Sequence, residues 1–255
     1  MKPKLLIITV VYRDDAHLEL TYESVHTGYS QPYEHYIFIK QYDPQLALKY
    51  GRSTVVASHD RGIYNAMNLA FAALKDKVHE TDCVLFLNSG DVLQKGQLEN
   101  LVTSLQASSA VLALGSVRLT RGGNVVGIRA VTSTDVSNGR KIFFEYPCHQ
   151  ATVYKAGALL DVQCDRGHLY EEAYKVCADL ELYLLLSPAG TLLADSIVAD
   201  YDSSGYSDKA ILQTADEKLQ LVRRYAPSPA WLTYAMFWQA KARCARLKRS
   251  LLGSR

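Results

Sequence analysis

Residues 83–91 read Cys-Val-Leu-Phe-Leu-Asn-Ser-Gly-Asp, five apolar residues in unbroken succession followed by a polar turn. Such a run is the pattern of a strand buried on both faces of a parallel sheet, because a strand with one wet face would alternate. Working outward, Leu5–Val11 repeats the pattern, and residues 35–40 and 53–58 read as two further strands. Residues 16–26 carry helical spacing, and a turn falls at Asp43-Pro44. Ile63, Met67, Ala70, Phe71 and Leu74 predict an amphipathic helix over 62–75 with that stripe inward. Strands alternating with helices predict a doubly wound sheet whose ligand site lies at the carboxyl ends of its strands. Tyr12, Asp60 and residues 88–91 share that rim.

In the second half a helix over 96–107 is followed by 111–119, the turn Gly122-Gly123-Asn124, and 125–130, which together predict a hairpin and hence a mixed sheet. A short strand at 151–154, a helix at 179–186 stopped before Pro188, a strand at 191–199 and a helix at 207–225 follow. Pro227 and Pro229 then punctuate the chain before a last helix over 230–252.

Composition narrows the function classes. The 255 residues hold 28 Lys+Arg against 26 Asp+Glu, a net charge of +2, and 48% are apolar, which excludes a disordered chain, a collagen-like repeat and a polycation. Five cysteines, an odd number without a Cys-x-x-Cys pair, argue against a disulfide framework and a structural zinc site. The first apolar run is cut off by Arg13, Asp14 and Asp15, too soon for a signal-peptide core or a membrane span. A cytoplasmic location is the expectation. The chain has no G-x-x-x-x-G-K-[ST] loop, no G-x-G-x-x-G after the first strand and no G-x-S-x-G elbow, so kinase-like, dehydrogenase and hydrolase chemistries recede.

The turn at 88–91 carries the chemistry. A carboxylate at a strand's carboxyl end can hold a divalent cation, which in turn neutralises a departing diphosphate. The plain alternative is a turn in which Asp or Asn caps a helix. Just upstream, Asp60 opens a helix with Asn65 and Asn68 on its polar flank, and two Asn in one turn are a poor choice for helix stability alone.

The blocks I-T-V-V-Y-R-D (8–14), D-R-G-I-Y-N-A-M-N (60–68), F-L-N-S-G-D (86–91), His149-Gln150 and Ala178-Asp179 with its Leu-rich continuation, in this order and spacing, resemble the family 2 glycosyltransferases. The resemblance covers roughly residues 4–207 and is nearest to bacterial enzymes that build capsule, colanic-acid-type or O-antigen polysaccharides. It implies a GT-A fold, a Rossmann-like nucleotide-binding mixed sheet flanked by helices, and a nucleotide-sugar donor, with a UDP-sugar expected. It also implies a divalent metal, Mg2+ or Mn2+, and inversion at the anomeric carbon. Carried onto this sequence, Thr9 and Tyr12 line the nucleoside pocket, Asp60 contacts base or ribose with Asn68 nearby, and Asn88 and Ser89 face the donor. Asp91 is the metal ligand, and Asn88 stands where many relatives place a second carboxylate.

By the same resemblance Asp179 is the catalytic base, which chemistry demands because an acceptor hydroxyl is a poor nucleophile until a carboxylate takes its proton. A helix N-cap is the alternative for Asp179, and Glu181 is the rival base. His149 faces the donor phosphates and the acceptor, against the alternative of a structural histidine. Where many relatives carry Asp-Gly-Ser after the second strand, this chain has Lys40-Gln41-Tyr42-Asp43, with Asp43 as the substitute. The stretch 200–207 resembles the family's loop before its last helix, a lid over the donor or an ordinary connector.

Residues 226–255 hold six bases and no acid, while residues 1–225 sum to −4. Phe237, Ala240, Cys244, Leu247 and Leu251 form a stripe at helical spacing, with Trp231, Tyr234 and Trp238 near its start. The sequence thus divides into a catalytic domain over 1–225 and a basic amphipathic C-terminal helix over 226–255. Such a helix suits an anionic membrane interface, and equally packing on the catalytic domain or on a second subunit as a homodimer. No nucleic-acid partner is expected, since no recognised motif accompanies the charge. The expected acceptor is a saccharide or lipid-linked oligosaccharide, reached from the inner face of the plasma membrane. The competing functions are a nucleotidyltransferase and a catalytically inactive sugar-nucleotide or glycan-binding module.

Overall fold

A computed structural model describes residues 3–13, 16–131, 147–203, 210–226 and 229–252. The first half runs β1 (Leu5–Val11), α1 (Ala16–Gly28), β2 (Tyr33–Ile39), α2 (Leu46–Lys49), β3 (Thr54–Ala57), α3 (Ile63–Leu74) and β4 (Cys83–Phe86). Then follow β5 (Val92–Leu93), α4 (Leu98–Ala107), β6 (Leu112–Arg121), β7 (Asn124–Arg129), β8 (Thr152–Lys155), α5 (Ala156–Arg166), α6 (Ala178–Leu186), β9 (Thr191–Asp202), α7 (Ile211–Tyr225) and α8 (Pro229–Leu252).

These strands form one mixed sheet in the order β3-β2-β1-β4-β8-β6-β9-β5, with β7 paired to the far end of β6. β1 is parallel to β2 and β4, and β2 to β3. The sense reverses at β8, which is antiparallel to both β4 and β6, and β9 lies parallel to β6. The carboxyl ends of β1, β2, β3 and β4 therefore share one edge, as the rim prediction requires.

The unbroken apolar runs have a direct cause, because both faces of the sheet are covered. Leu6, Ile8 and Val10 of β1 join a core built on Met67 and Phe71 of α3, Leu159 of α5, Leu180 of α6 and Leu221 of α7. Leu5 and Ile7, pointing the opposite way, pack with Val25 of α1 and with Leu98, Leu101 and Leu105 of α4. A Cβ at Gly115 would lie 2.4 Å from Val198 Cγ2, so the close pairing of β6 with β9 requires a glycine there.

Several boundaries and faces differ from the sequence reading. The helix expected over 62–75 begins at Ile63, whose side chain is 45% exposed at the rim, so the inward stripe starts at Met67. α5 and the two-residue β5 were not foreseen, and β9 runs on to Asp202. In α8 the packing face is Leu232, Ala235, Gln239 and Ala242, not the predicted stripe. Ala235 is buried in the larger core, and the Gln239 amide donates to Asp216 of α7. Phe237, Ala240 and Cys244 of that stripe are exposed.

Candidate active site

The turn after β4 is fixed from behind. Gly90 adopts φ +99, which a side chain would strain, and the Asp91 N–H closes the turn on the Asn88 carbonyl at 3.1 Å. Thr21 of α1 accepts the Gly90 N–H at 2.9 Å and donates to the Asp91 carbonyl at 2.8 Å. Ser24, one turn on, accepts the Leu93 N–H at 3.0 Å. Two hydroxyls on one helix face thus satisfy the backbone of residues 90–93.

On the cleft side the turn meets His149 and Asp179. The Asn88 amide lies 2.8 Å from His149 Nε2, and His149 Nδ1 lies 3.4 Å from Asp179 Oδ2. With Asn88 Nδ2 assigned as the donor, the imidazole proton sits on Nδ1 and faces the Asp179 carboxylate. Asp179 Oδ1 accepts the Leu180 N–H at 2.9 Å and lies 3.2 Å from the Tyr64 hydroxyl.

Asp91 is only 4% exposed. Burial pushes its carboxyl up to about 7, against His149, the Gln150 side chain and the backbone N–H groups of Asn88 and Asp202, which all favour the charged form. Asn88 Oδ1 is buried and finds no hydrogen-bond partner among the described residues. A buried acceptor left over beside a desolvated carboxylate is a natural place for a cation. Among the described residues, no three His, Cys, Asp or Glu side chains gather closely enough to hold a metal on their own.

Asp179 is the second residue of α6, and the one backbone N–H it accepts is that of Leu180, so it does not cap the helix. Just ahead of α6, the carboxylate of Glu217 of α7 accepts the N–H groups of Lys175, Val176 and Cys177 at 2.8–2.9 Å. Glu181 is fully buried, held by Arg166 at 3.1 Å, Arg224 at 3.3 Å and the Tyr225 hydroxyl at 2.9 Å. Its work is to join α5, α6 and α7.

At the far end of the rim Tyr12 is 60% exposed, with the Lys40 ammonium 5.9 Å from its ring centroid. Lys40 donates to the Asp60 carbonyl at 2.6 Å. The Asp60 carboxylate accepts Ser58 Oγ at 2.7 Å and the Gly62 N–H at 3.1 Å, which sets the start of α3. Ser89 is half-buried within the turn. Asp43 accepts the N–H of Gln45 and shapes the turn after β2.

Two expected donor-binding residues are placed elsewhere. Thr9 is fully buried, with its hydroxyl 3.0 Å from His35 Nε2, on the sheet face covered by α1. Asn68 turns its amide to the backbone of Leu169 and Tyr170, accepting both N–H groups and donating to the Tyr170 carbonyl at 2.8 Å, and it also bonds the Glu172 side chain. The polar flank of α3 is thus a clamp on the segment after α5. Sequence reasoning missed Tyr64, although it lies inside the quoted block. It also missed Arg118, whose guanidinium pairs with both oxygens of Asp200 at 2.8 and 2.7 Å. Residues 204–207 of the expected lid lie outside the described residues.

No protein-family model and no curated protein sequence matches the chain. Solved structures do. Residues 1–349 of Staphylococcus aureus TarS, in complex with UDP, align with a TM-score of 0.62 at 15% identity over 94% of this chain and 70% of that one. The Pyrobaculum calidifontis mannosyltransferase PcManGT, in complex with GDP-Man and Mn2+, gives 0.61 at 11% identity over 98% and 76%. The fold is that of the GT-A glycosyltransferases. A 4-diphosphocytidyl-2C-methyl-D-erythritol synthase aligns with a TM-score of 0.53 at 14% identity over 84% of this chain and 98% of that one. In this GT-A chain the polar turn after β4, His149 and the start of α6 meet at one end of the parallel strands.

Proposed function

We propose that the chain is an inverting glycosyltransferase that moves one sugar from a nucleotide donor, a UDP-sugar, to a saccharide acceptor. The observation that supports this most is the line of contacts from Asn88 to His149, a hydrogen bond at 2.8 Å, and from His149 to Asp179, an approach of 3.4 Å, which puts a carboxylate beside the polar turn. Acceptor hydroxyl and donor anomeric carbon would meet between them. The acceptor oxygen forms its bond to the anomeric carbon as its proton passes to Asp179, and the bond to the diphosphate oxygen breaks, its electron pair leaving with the nucleoside diphosphate.

The residues present fit a divalent cation, because the Asn88 Oδ1 is an unused buried acceptor next to the desolvated Asp91 carboxylate. When bound, that cation offsets the charge growing on the leaving diphosphate. With one carboxylate in the turn, the donor itself would complete the coordination. PcManGT, solved with both GDP-Man and Mn2+, is a precedent for the pairing in this fold. Tyr12, Asp60 and Lys40 would hold the nucleoside, Ser89 and His149 the phosphates and sugar. The acceptor, by the family resemblance, is a lipid-linked saccharide of a bacterial surface polysaccharide, reached from the cytoplasm.

A nucleotidyltransferase would need a glycine-rich basic loop after β1 to wrap a triphosphate. Residues 12–15 here are Tyr-Arg-Asp-Asp, with no glycine and two carboxylates, which favours glycosyl transfer. The test is a thermal-shift screen of nucleotide sugars with and without Mn2+, followed by transfer or donor hydrolysis with Asp179→Asn. A metal-dependent rise in Tm with one donor, and loss of turnover but not of binding in the variant, are the expected results. Full turnover by a folded Asp179→Asn protein would place the base elsewhere, and binding without any hydrolysis by the wild type would indicate a binding module.

A further inference from the structure

The α8 helix docks on the core through one narrow face. Ala235 and Ala242, seven residues apart and both buried, mark it, with Gln239 between them reaching Asp216 of α7. At 100° per residue the direction opposite that face falls on Phe237, Lys241 and Cys244, all exposed. Phe237 is 62% exposed and Met236 57%. Lys241 lays its ammonium 4.7 Å from the centroid of the Trp238 ring. This is a surface of large apolar side chains interleaved with cations, on a segment whose 226–255 stretch holds six bases and no acid.

We infer that the outward face of α8 docks on an anionic lipid bilayer, lying in the interface plane with Phe237 entering the acyl boundary and Lys241 reaching up to lipid phosphates. Three observations choose this occupant. First, charge: a segment with no acid is complementary to a surface carrying phosphates. Second, symmetry: in a two-fold dimer the same face meets itself and brings its cations together, whereas a lipid surface supplies the missing anions. Third, depth: among the described residues no helix is long and apolar enough to cross a membrane, so the apolar side chains can be satisfied at the boundary and not across it. Lys and Arg stems bury alongside apolar groups while their heads stay in water, so the mixed character of the face is what an interface selects. The inference does not depend on the proposed chemistry, because no residue of the cleft takes part.

The test is flotation of the full chain with vesicles of mixed phosphatidylcholine and phosphatidylglycerol, against vesicles of phosphatidylcholine alone. Binding to the mixed vesicles only, weakened by salt and accompanied by a blue shift of the tryptophan emission, is expected. Phe237→Glu replaces an exposed side chain and leaves the packing face intact, so it should fold, as circular dichroism will show. It should lower partitioning by tenfold or more, and Lys241→Glu by at least about fivefold, the worth of one cation near an anionic surface. Absence of binding to the mixed vesicles, or binding unchanged by Phe237→Glu, overturns the inference. So does a wild-type dimer in sedimentation that Phe237→Glu dissolves, since the face would then be a protein interface.

Discussion

The Tyr64 hydroxyl stands 2.7 Å from the Val176 carbonyl and 3.2 Å from Asp179 Oδ1, so one phenol spans the last turn before α6 and the carboxylate that α6 presents. With a single proton it donates to one of the two at a time, and each donation to Asp179 fixes where that carboxylate points. Tyr64→Phe removes this positioning contact from the proposed base. The expected result is a kcat about tenfold lower with the donor KM unchanged. A loss of Tm with kcat and KM both unchanged would show that Tyr64 serves only the fold.

Asn88→Asp restores a second carboxylate to the turn. Binding of Mn2+ in the absence of donor, read by calorimetry, should strengthen at least tenfold if the turn is the proposed cation site, because a second carboxylate adds a hard anionic ligand. The same change sets an anion against His149 Nε2, where the Asn88 amide now lies at 2.8 Å.

Glu217 is buried and accepts three successive backbone N–H groups ahead of α6. Glu217→Ala leaves them unsatisfied in the interior, at a cost of about 3 kcal/mol or more. Urea unfolding should show that loss, and turnover should fall beyond what the unfolded fraction explains, since Asp179 follows the held segment by two residues.

Stability should fall on mild acidification. His35 is buried between Thr9 and Ser53, and His26 reaches Ser53 and Tyr33. Burial lowers the two imidazoles to about 3 and about 4, His35 further depressed by His26, and His26 by Arg52. An unfolded chain takes up these protons near pH 6.5 while the folded one cannot, so their stabilising contribution is complete above 6.5 and is lost as pH falls. For His35 the slope approaches about 1.4 kcal/mol per pH unit below 6.5. Asp91, raised to about 7, opposes it, because its contribution is greatest below about 4 and declines as pH rises towards 7. Tm measured between pH 7.5 and 5 should fall in the wild type and less steeply in His35→Asn.

The parallel half of the fold was legible because each strand there is decided locally. A run such as Leu5–Val11 has apolar side chains on both faces whatever lies beside it. β5 is different, since two residues become a strand only through pairing with Ala199 and Asp200 of β9. α5 escaped notice because Leu159 and Val162 are set among Asp161, Gln163 and Cys164, too sparse for a stripe. In α8 the most apolar line left open a membrane, the catalytic domain or a second subunit, whereas the face turned to the core is marked by the small buried Ala235 and Ala242.

The candidate site was legible as residue types more than as roles. Asn88, Asp91, His149 and Asp179 come together, while Glu181 is held away from them by three partners on other elements. Thr9 and Asn68 look like cleft residues in sequence because a hydroxyl and an amide fit a ligand well. Their partners, His35 and the backbone at 169–170, lie 26 and about a hundred positions away, beyond the reach of any local pattern.

The hydroxyls of Thr21 and Ser24 hold the 90–93 backbone from outside the cleft. The scaffold of the turn is therefore maintained by a helix that no donor need touch, and the side chains at 88 and 89 carry no share of that duty. The side chains at those two positions can be exchanged without re-engineering the loop, which makes the turn a replaceable tool in a fixed holder.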